Sequence, residues 1–202
     1  MQTRVEESTY PGGSIKVRCT FLQATNILIK YMEWHPNGAL KITTNYNDKG
    51  QLHGIDEEWY GDNSPKSRKC YENDNLHGRY VTWHPVVSRQ NAQIKCSGTY
   101  AHNKKTGRWC WFYEGNILEE MCEYKEGKRN GRRETYYMNG QVRRIFNYKD
   151  GKLHGLYKCY SFDGLLMASC NYSEGRLAGE FAMFDSDGHL LIRESMDLES
   201  SK

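Results

Sequence analysis

The sequence predicts an all-β chain, built as an elongated single-sheet solenoid of stacked antiparallel β-hairpins. Three observations carry that prediction. The composition is rich in strand and turn formers, with 15 Tyr, 5 Trp and 19 Gly against only 4 Pro. Aromatics favour pleated strands and Gly serves tight turns. A pattern of Tyr-x-acidic-Gly-basic-x-x-Gly, followed five residues later by an aromatic and then by a turn Gly, recurs about every 24 residues. Asn-Gly and Asp-Gly pairs fall between strand-like runs, a sequence signal for hairpins.

In chain order, residues 1–11 are expected to be loose, and residues 14–22 alternate like a strand that covers the first edge. Residues 1–30 therefore read as tail and cap. A partial unit follows, with Trp34 and Gly38 in register but Ile29 where the second Gly of the pattern would fall. Six further units are marked by a leading Tyr at Tyr46, Tyr71, Tyr100, Tyr124, Tyr148 and Tyr172. Their second glycines, the repeat turn glycines, are Gly54, Gly78, Gly107, Gly131, Gly155 and Gly179. The aromatic column runs Trp34, Trp59, Trp83, Phe112, Tyr136, Tyr160 and Phe184. The one long step follows the irregular stretch 83–87. Repeats occupy 31–196, with 189–196 covering the last edge and 197–202 a loose tail, all in a single domain 1–202. A lone hairpin is marginal in water, so each copy must lean on its neighbours.

Asp163-Gly164, Asp187-Gly188, Asn139-Gly140 and Asn37-Gly38 read as type I′ turns. Such a turn at Asp163-Gly164 sets Ser161 opposite Leu166, Cys159 opposite Ala168 and Tyr157 opposite Cys170. That side, continued by Tyr172, reads as small, apolar and buried, with Arg133 and Arg144 as exceptions in the preceding unit. The aromatic column lies on the other side. The Tyr-x-acidic-Gly-x-x-x-Gly stretch then serves as the loop between hairpins.

This pattern resembles the MORN repeat, specifically its variant form, and Leu52-His53-Gly54, Leu76-His77-Gly78 and Leu153-His154-Gly155 carry a step common in that family. The resemblance covers roughly 31–196. It departs from the commonest form where Asn73-Asp74 and Asn103-Lys104 replace the acidic-Gly pair, and a looser loop is expected there. The resemblance implies elongated hairpin arrays that act as scaffolds, interaction arms or lipid-headgroup binders. It also implies an origin of the kind seen in bacteria and large DNA viruses, with a virus particle as one setting and toxin neutralisation as one role.

No acid, base, nucleophile or metal set converges in the sequence, so no catalytic residue, metal site or cofactor is expected. His53, His77 and His154 share one repeat position with Thr106, Asn130 and Ala178, which marks a loop position. His35 and His84 stand in Trp-His-Pro steps and read as structural. There is no Cys-x-x-Cys among Cys19, Cys70, Cys96, Cys110, Cys122, Cys159 and Cys170. Acidic-Gly pairs recur with the repeat and serve turns rather than glycoside chemistry.

Lys128, Arg129, Arg132, Arg133, Arg143, Arg144, Lys149 and Lys152 crowd two neighbouring units and form a candidate stripe for anions or a partner. Net charge is only +3, and the chain matches no nucleic-acid-binding module. The expected partner is another protein or a second copy of the chain, with anionic lipid headgroups as the alternative. An odd cysteine count and no apolar leader run predict an intracellular, reducing setting rather than secretion.

Overall fold

Leading tyrosines and glycines at fixed intervals do produce hairpins. The computed structural model describes residues 2–86 and 91–196, and among them there is no helix. The expected tail at 197–202 lies outside the described residues. Two compact units divide the chain, 1–104 and 105–202.

In the first unit, β1 (Thr3–Thr9), β2 (Ile15–Leu22), β3 (Leu28–Trp34), β4 (Leu40–Asn45), β5 (Gly54–Trp59), β6 (Pro65–Glu72), β7 (Asn75–Trp83) and β8 (Ile94–Ala101) each pair antiparallel with the next. The second unit carries β9 (Lys104–Phe112), β10 (Leu118–Lys125), β11 (Lys128–Tyr136), β12 (Val142–Lys149), β13 (Lys152–Leu153), β14 (Gly155–Tyr160), β15 (Leu166–Ser173), β16 (Arg176–Phe184) and β17 (Leu190–Met196). These also pair in chain order, with β12 bonded to both β13 and β14.

Residues 3–11, part of the stretch expected to be loose, are ordered. Tyr10 N–H bonds to the Ser14 carbonyl at 2.8 Å around Gly13, which has φ +83°, and β1 and β2 form the first hairpin of the array. The Pro11-Gly12-Gly13 turn supplies the same reversal that Asn-Gly and Asp-Gly supply later.

The two kinds of turn are the reverse of the sequence expectation. Type I′ geometry, with positive φ at both central residues, occurs at the acidic-Gly pairs: Glu126 and Gly127, Asp150 and Gly151, Glu174 and Gly175. At Asp163-Gly164, Asn139-Gly140, Asn37-Gly38 and Asp187-Gly188 only the glycine has positive φ. Each of those is a three-residue loop with a bulge beside it, as in Ser161 N–H to Leu165 C=O at 2.8 Å. Tyr160, not Ser161, therefore faces Leu166. Beyond the bulge the slip cancels, and Cys159–Ala168 and Tyr157–Cys170 pair as expected.

The loops expected to be looser are tied down. Asn73 and Asp74, then His102 and Asn103, hold the two positive-φ positions, so the second pair is His102-Asn103 rather than Asn103-Lys104. Asp74 Oδ1 accepts from Leu52 N–H and Asn103 Oδ1 from Leu76 N–H, each at 2.8 Å. A side-chain acceptor thus adds a bond that glycine could not make. In the five copies from Tyr71 onward the N–H of the second turn residue also reaches back one repeat: Asp74 to Leu52, Asn103 to Leu76, Gly127 to Lys105, Gly151 to Arg129 and Gly175 to Leu153.

The second-glycine column is uniform, with positive φ from Gly54 to Gly179. At Gly78 the backbone, with φ +102°, favours glycine, and an added Cβ would also crowd Cys70 Cβ at 3.2 Å. Core residues lie mainly on the leading-Tyr face, where Thr44, Asp56, Ser67, Cys96, Trp109, Cys122 and Cys170 are buried. The expectation of a small, apolar side is corrected by Asp56, Lys69, Glu120 and Arg133, which share that face and satisfy one another's charge.

Candidate functional site

Two residues beyond each second glycine, the backbone aims a side chain at the leading-Tyr face. In the second unit these positions hold Trp109, Arg133, Tyr157 and Phe181. Trp109, only 1% exposed, packs edge-on to Tyr124 and beside Trp111. Lys105 places its ammonium 4.2 Å from the Trp109 ring centre, 4.9 Å from that of Trp111 and 5.2 Å from that of Tyr124. A ring cage of this kind stabilises a cation through the negative ring faces.

The next hairpin repeats the theme. Arg133 donates Nε to Glu120 Oε1 at 2.9 Å and a terminal nitrogen to Oε2 at 2.6 Å, while its guanidinium lies 4.9 Å from the Phe146 ring centre. Arg129 stands 5.5 Å over Tyr148. Phe146 meets Tyr148 and Tyr157, and Tyr157 meets Tyr172. Burial pushes the Tyr157 phenol up to about 12, helped by Cys159. Burial likewise raises Tyr124, against the pull of Arg129. These phenols stay neutral donors at physiological pH.

Two donors on this face find no acceptor. Arg144 Nε and Thr135 Oγ1 are buried without a hydrogen-bond partner, and the two residues face each other across β11 and β12. A buried unmet donor costs about 1–3 kcal/mol.

The candidate basic stripe does not form one surface. Arg129, Arg133 and Arg144 face the leading-Tyr side, whereas Arg132 faces the opposite side and pairs with buried Glu134. Arg143 stacks 5.6 Å from Tyr137, Lys152 bonds Glu174 at 3.1 Å, and Lys128 and Lys149 sit exposed beside type I′ turns.

The aromatic column occupies the face opposite the leading tyrosines and is half-buried throughout. Its backbone joins neighbouring copies. Carbonyls of Trp34, Trp59, Trp83, Tyr136 and Tyr160 accept from Tyr10, His35, Tyr60, Tyr113 and Tyr137, 23 or 24 residues upstream. His35 is thus structural. Burial, then the Glu134 carboxylate, pushes Tyr136 up to about 12. A groove of about 430 Å³ on this face is lined by Gly140, Gln141, Val142, Ile145, Tyr160 and Gly164, none of them charged.

Sequence reasoning missed the ring and cation cluster, the tyrosine bonds between copies and one convergence of histidines. Glu72, His77 and His102 bring one donor atom each to within 4.8 Å of one another. The position two after the second glycine was the available signal for the cluster. Asp185, Asp187 and His189 also approach each other, but Asp185 Oδ1 is occupied by the N–H groups of Asp187 and His189, which is turn chemistry.

The sequence profile of the MORN repeat variant matches residues 105–126 and 129–150. Those two stretches contain Lys105, Trp109, Trp111, Glu120, Arg133 and Phe146, and they support a MORN-repeat protein. No curated protein matches the chain. Among solved structures, a chain in the "Crystal Structure of TcdB2-TccC3" is similar at 11% identity with a TM-score of 0.24, and the match covers 98% of this chain and 14% of that one.

Proposed function

We propose that this chain is a non-catalytic MORN-repeat interaction module, and that the ring and cation face of its second unit docks another protein. The observation that carries the reading is the pairing of half-buried rings with the unmet Arg144 and Thr135 donors on one face. Aromatics and Arg are the residues most enriched in protein interfaces. The fitting partner presents a carboxylate or free carbonyls among apolar side chains. Scaffolding of this kind needs no cofactor. No disulfide joins the seven cysteines, and Cys96, Cys122 and Cys170 are buried, which supports a reducing compartment.

Co-purification from the native source, with partner identification, tests the proposal. Arg144→Glu and Lys105→Glu should each reduce recovery of the identified partner. Tyr160→Ser, on the opposite face, should not. Equal recovery with all three variants would reject this face as the dock. Sedimentation of the isolated chain reads self-association, and flotation with anionic vesicles at low and high salt reads lipid binding. Flotation abolished by reversing Arg132, Arg133, Arg143 and Arg144 to Glu would move the function to membranes.

A further inference from the structure

We infer that Glu72, His77 and His102 form a divalent transition-metal site of Zn²⁺ type, with one carboxylate and two imidazole ligands. Two departures from the repeat, Glu72 and His102, converge on a histidine at a position where His53 and His154 also stand. The position after the leading Tyr holds Asn47, Ala101, Lys125, Lys149 or Ser173 in other copies, but Glu72 here. The first residue of the type I′ turn is Glu126, Asp150 or Glu174 in the later copies, but His102 here. His77 stands where other copies tolerate Thr106, Asn130 or Ala178.

A sister copy shows what the ordinary pairing looks like. His154 occupies the position of His77 and faces Glu174, which occupies that of His102, at 3.9 Å. That copy is a plain histidine–carboxylate contact, with Lys152 also holding the carboxylate. In the Glu72 copy the facing acid has become a second imidazole, and the carboxylate arrives from the other side. His77 Nδ1 lies 3.5 Å from Glu72 Oε2, and the His77 and His102 ring centres are 4.6 Å apart.

The geometry suits a metal better than a hydrogen bond. His77 Nδ1, like His154 Nδ1 in the sister copy, is shielded from solvent and has no hydrogen-bond partner, so what sets this site apart is the second imidazole and the added Glu72 carboxylate. The three donor atoms lie within 4.8 Å of one another. Tetrahedral ligands at about 2.0–2.1 Å from Zn²⁺ stand about 3.4 Å apart, so a closure of about 1.5 Å completes the set. The Glu72 and His77 side chains are 47% and 41% exposed, which leaves room for that rotation and for water as a remaining ligand.

The frame around the site is fixed. Asn103 N–H bonds Leu76 C=O at 2.9 Å, Asn103 Oδ1 accepts from Leu76 N–H at 2.8 Å, and Asn103 Nδ2 donates to Asn75 Oδ1 at 2.6 Å. These bonds hold the His102 turn against β7. Two imidazoles and one carboxylate favour Zn²⁺, Co²⁺, Ni²⁺ or Cu²⁺ over Ca²⁺ or Mg²⁺, which prefer all-oxygen sites. A bound ion would clamp the β6–β7 hairpin to the turn that follows β8.

Co²⁺ titration of the full chain under reducing conditions tests the site, because its absorption spectrum separates nitrogen and oxygen ligands from thiolates. The expected result is one equivalent of Co²⁺, displaceable by Zn²⁺, without a thiolate charge-transfer band. His102→Asn and Glu72→Lys should each weaken binding by roughly tenfold or more. Asn accepts positive φ, and Lys is the native residue at that position in two sister copies, so both variants preserve the hairpins. His154→Asn should bind as the parent does. In the parent protein, Zn²⁺ should shift the ring resonances of His77 and His102 and leave those of His154 in place. A thiolate band, absence of stoichiometric binding, or binding undiminished in both variants would overturn the site.

Discussion

The leading-Tyr faces of the two units use the same backbone positions for different chemistry. Two residues after the second glycine, the first unit places Asp56 and Tyr80 and the second places Trp109, Arg133, Tyr157 and Phe181, and the difference is sharpest between Asp56 and the pair Trp109 and Arg133. Asp56 sits in a polar network, accepting from Thr44 Oγ1 at 2.7 Å and facing Lys69, which also bonds Glu58 at 2.8 Å. In the second unit the neighbours are rings, and the cations Lys105, Arg129 and Arg133 rest on them. The hairpin repeat therefore fixes where a side chain points and leaves its nature open, provided every buried charge meets a partner. A face of carboxylates and lysines neutralises itself. Each face keeps buried donors without a hydrogen-bond partner, Ser67 Oγ in the first unit and Thr135 Oγ1 and Arg144 Nε in the second, and of these three only the guanidinium carries a charge.

The largest separation of the two units should come from Trp109→Ala. A nearly inaccessible indole replaced by methyl costs about 3–5 kcal/mol. Hydrogen exchange should show lost protection concentrated in β9, β10 and β11, with β2 to β6 far less affected, as expected when each repeat contacts mainly its neighbours. Uniform loss across both units would mean that the array unfolds as one block.

The next effect sharpens the contrast in charge. Glu120→Ala leaves Arg133 without its bidentate acceptor in a half-buried setting, at a cost of about 1–3 kcal/mol in urea unfolding. Adding Arg133→Met should return part of that loss, because the orphaned charge is then gone. A double-mutant cycle with no coupling would show that ring stacking, not the ion pair, holds Arg133.

In the first unit the corresponding probe is pH. Burial pushes the Glu58 carboxyl upward, but the Lys69 and Lys66 hydrogen bonds outweigh it and hold the group at about 2. The folded value lies below the ordinary 4.5, so the stabilisation is present above that range and is lost as pH falls through it toward 2. With solvent screening it is on the order of 1–2 kcal/mol. Thermal unfolding from pH 6 to pH 2.5 should therefore decline more steeply in the parent than in Glu58→Gln. Parallel curves would remove Glu58 from the acid response.

Much of this architecture was legible because glycine at positive φ is a local demand. The column from Gly54 to Gly179 and the leading tyrosines follow from spacing, whereas the Cys159–Ala168 register, inferred from a two-residue turn, holds because the bulge restores it. Turn types were not, because Asp-Gly suits a type I′ turn and also a three-residue loop ending in a bulge, and local sequence does not separate them. The strand β1 was hidden by its charges, since Arg4, Glu6 and Glu7 alternate with little that is apolar. The Arg133–Glu120 pair required knowing how a bulge between Cys122 and Tyr124 shifts the register. His77 and His102 lie 25 positions apart and meet through the β7–β8 register, in which Gly78 faces Tyr100, while Glu72 joins them across an offset between β6 and β7.

The smallest effect separates crowding of charge from use of charge. Lys152 bonds Glu174 at 3.1 Å, but both side chains are about 60% exposed. A pair so open to water contributes less than about 1 kcal/mol, because screening and side-chain entropy offset most of the attraction. Lys152→Ala should shift the urea midpoint by less than about 0.5 kcal/mol in equivalent stability. If the ring and cation face is the dock, partner recovery should also stay unchanged, since Lys152 lies at a turn end away from Arg144 and Tyr157. Partner recovery that falls with Lys152→Ala while Arg144→Glu leaves it intact would place the contact on the turn edge, and the ring cluster would then be core packing alone.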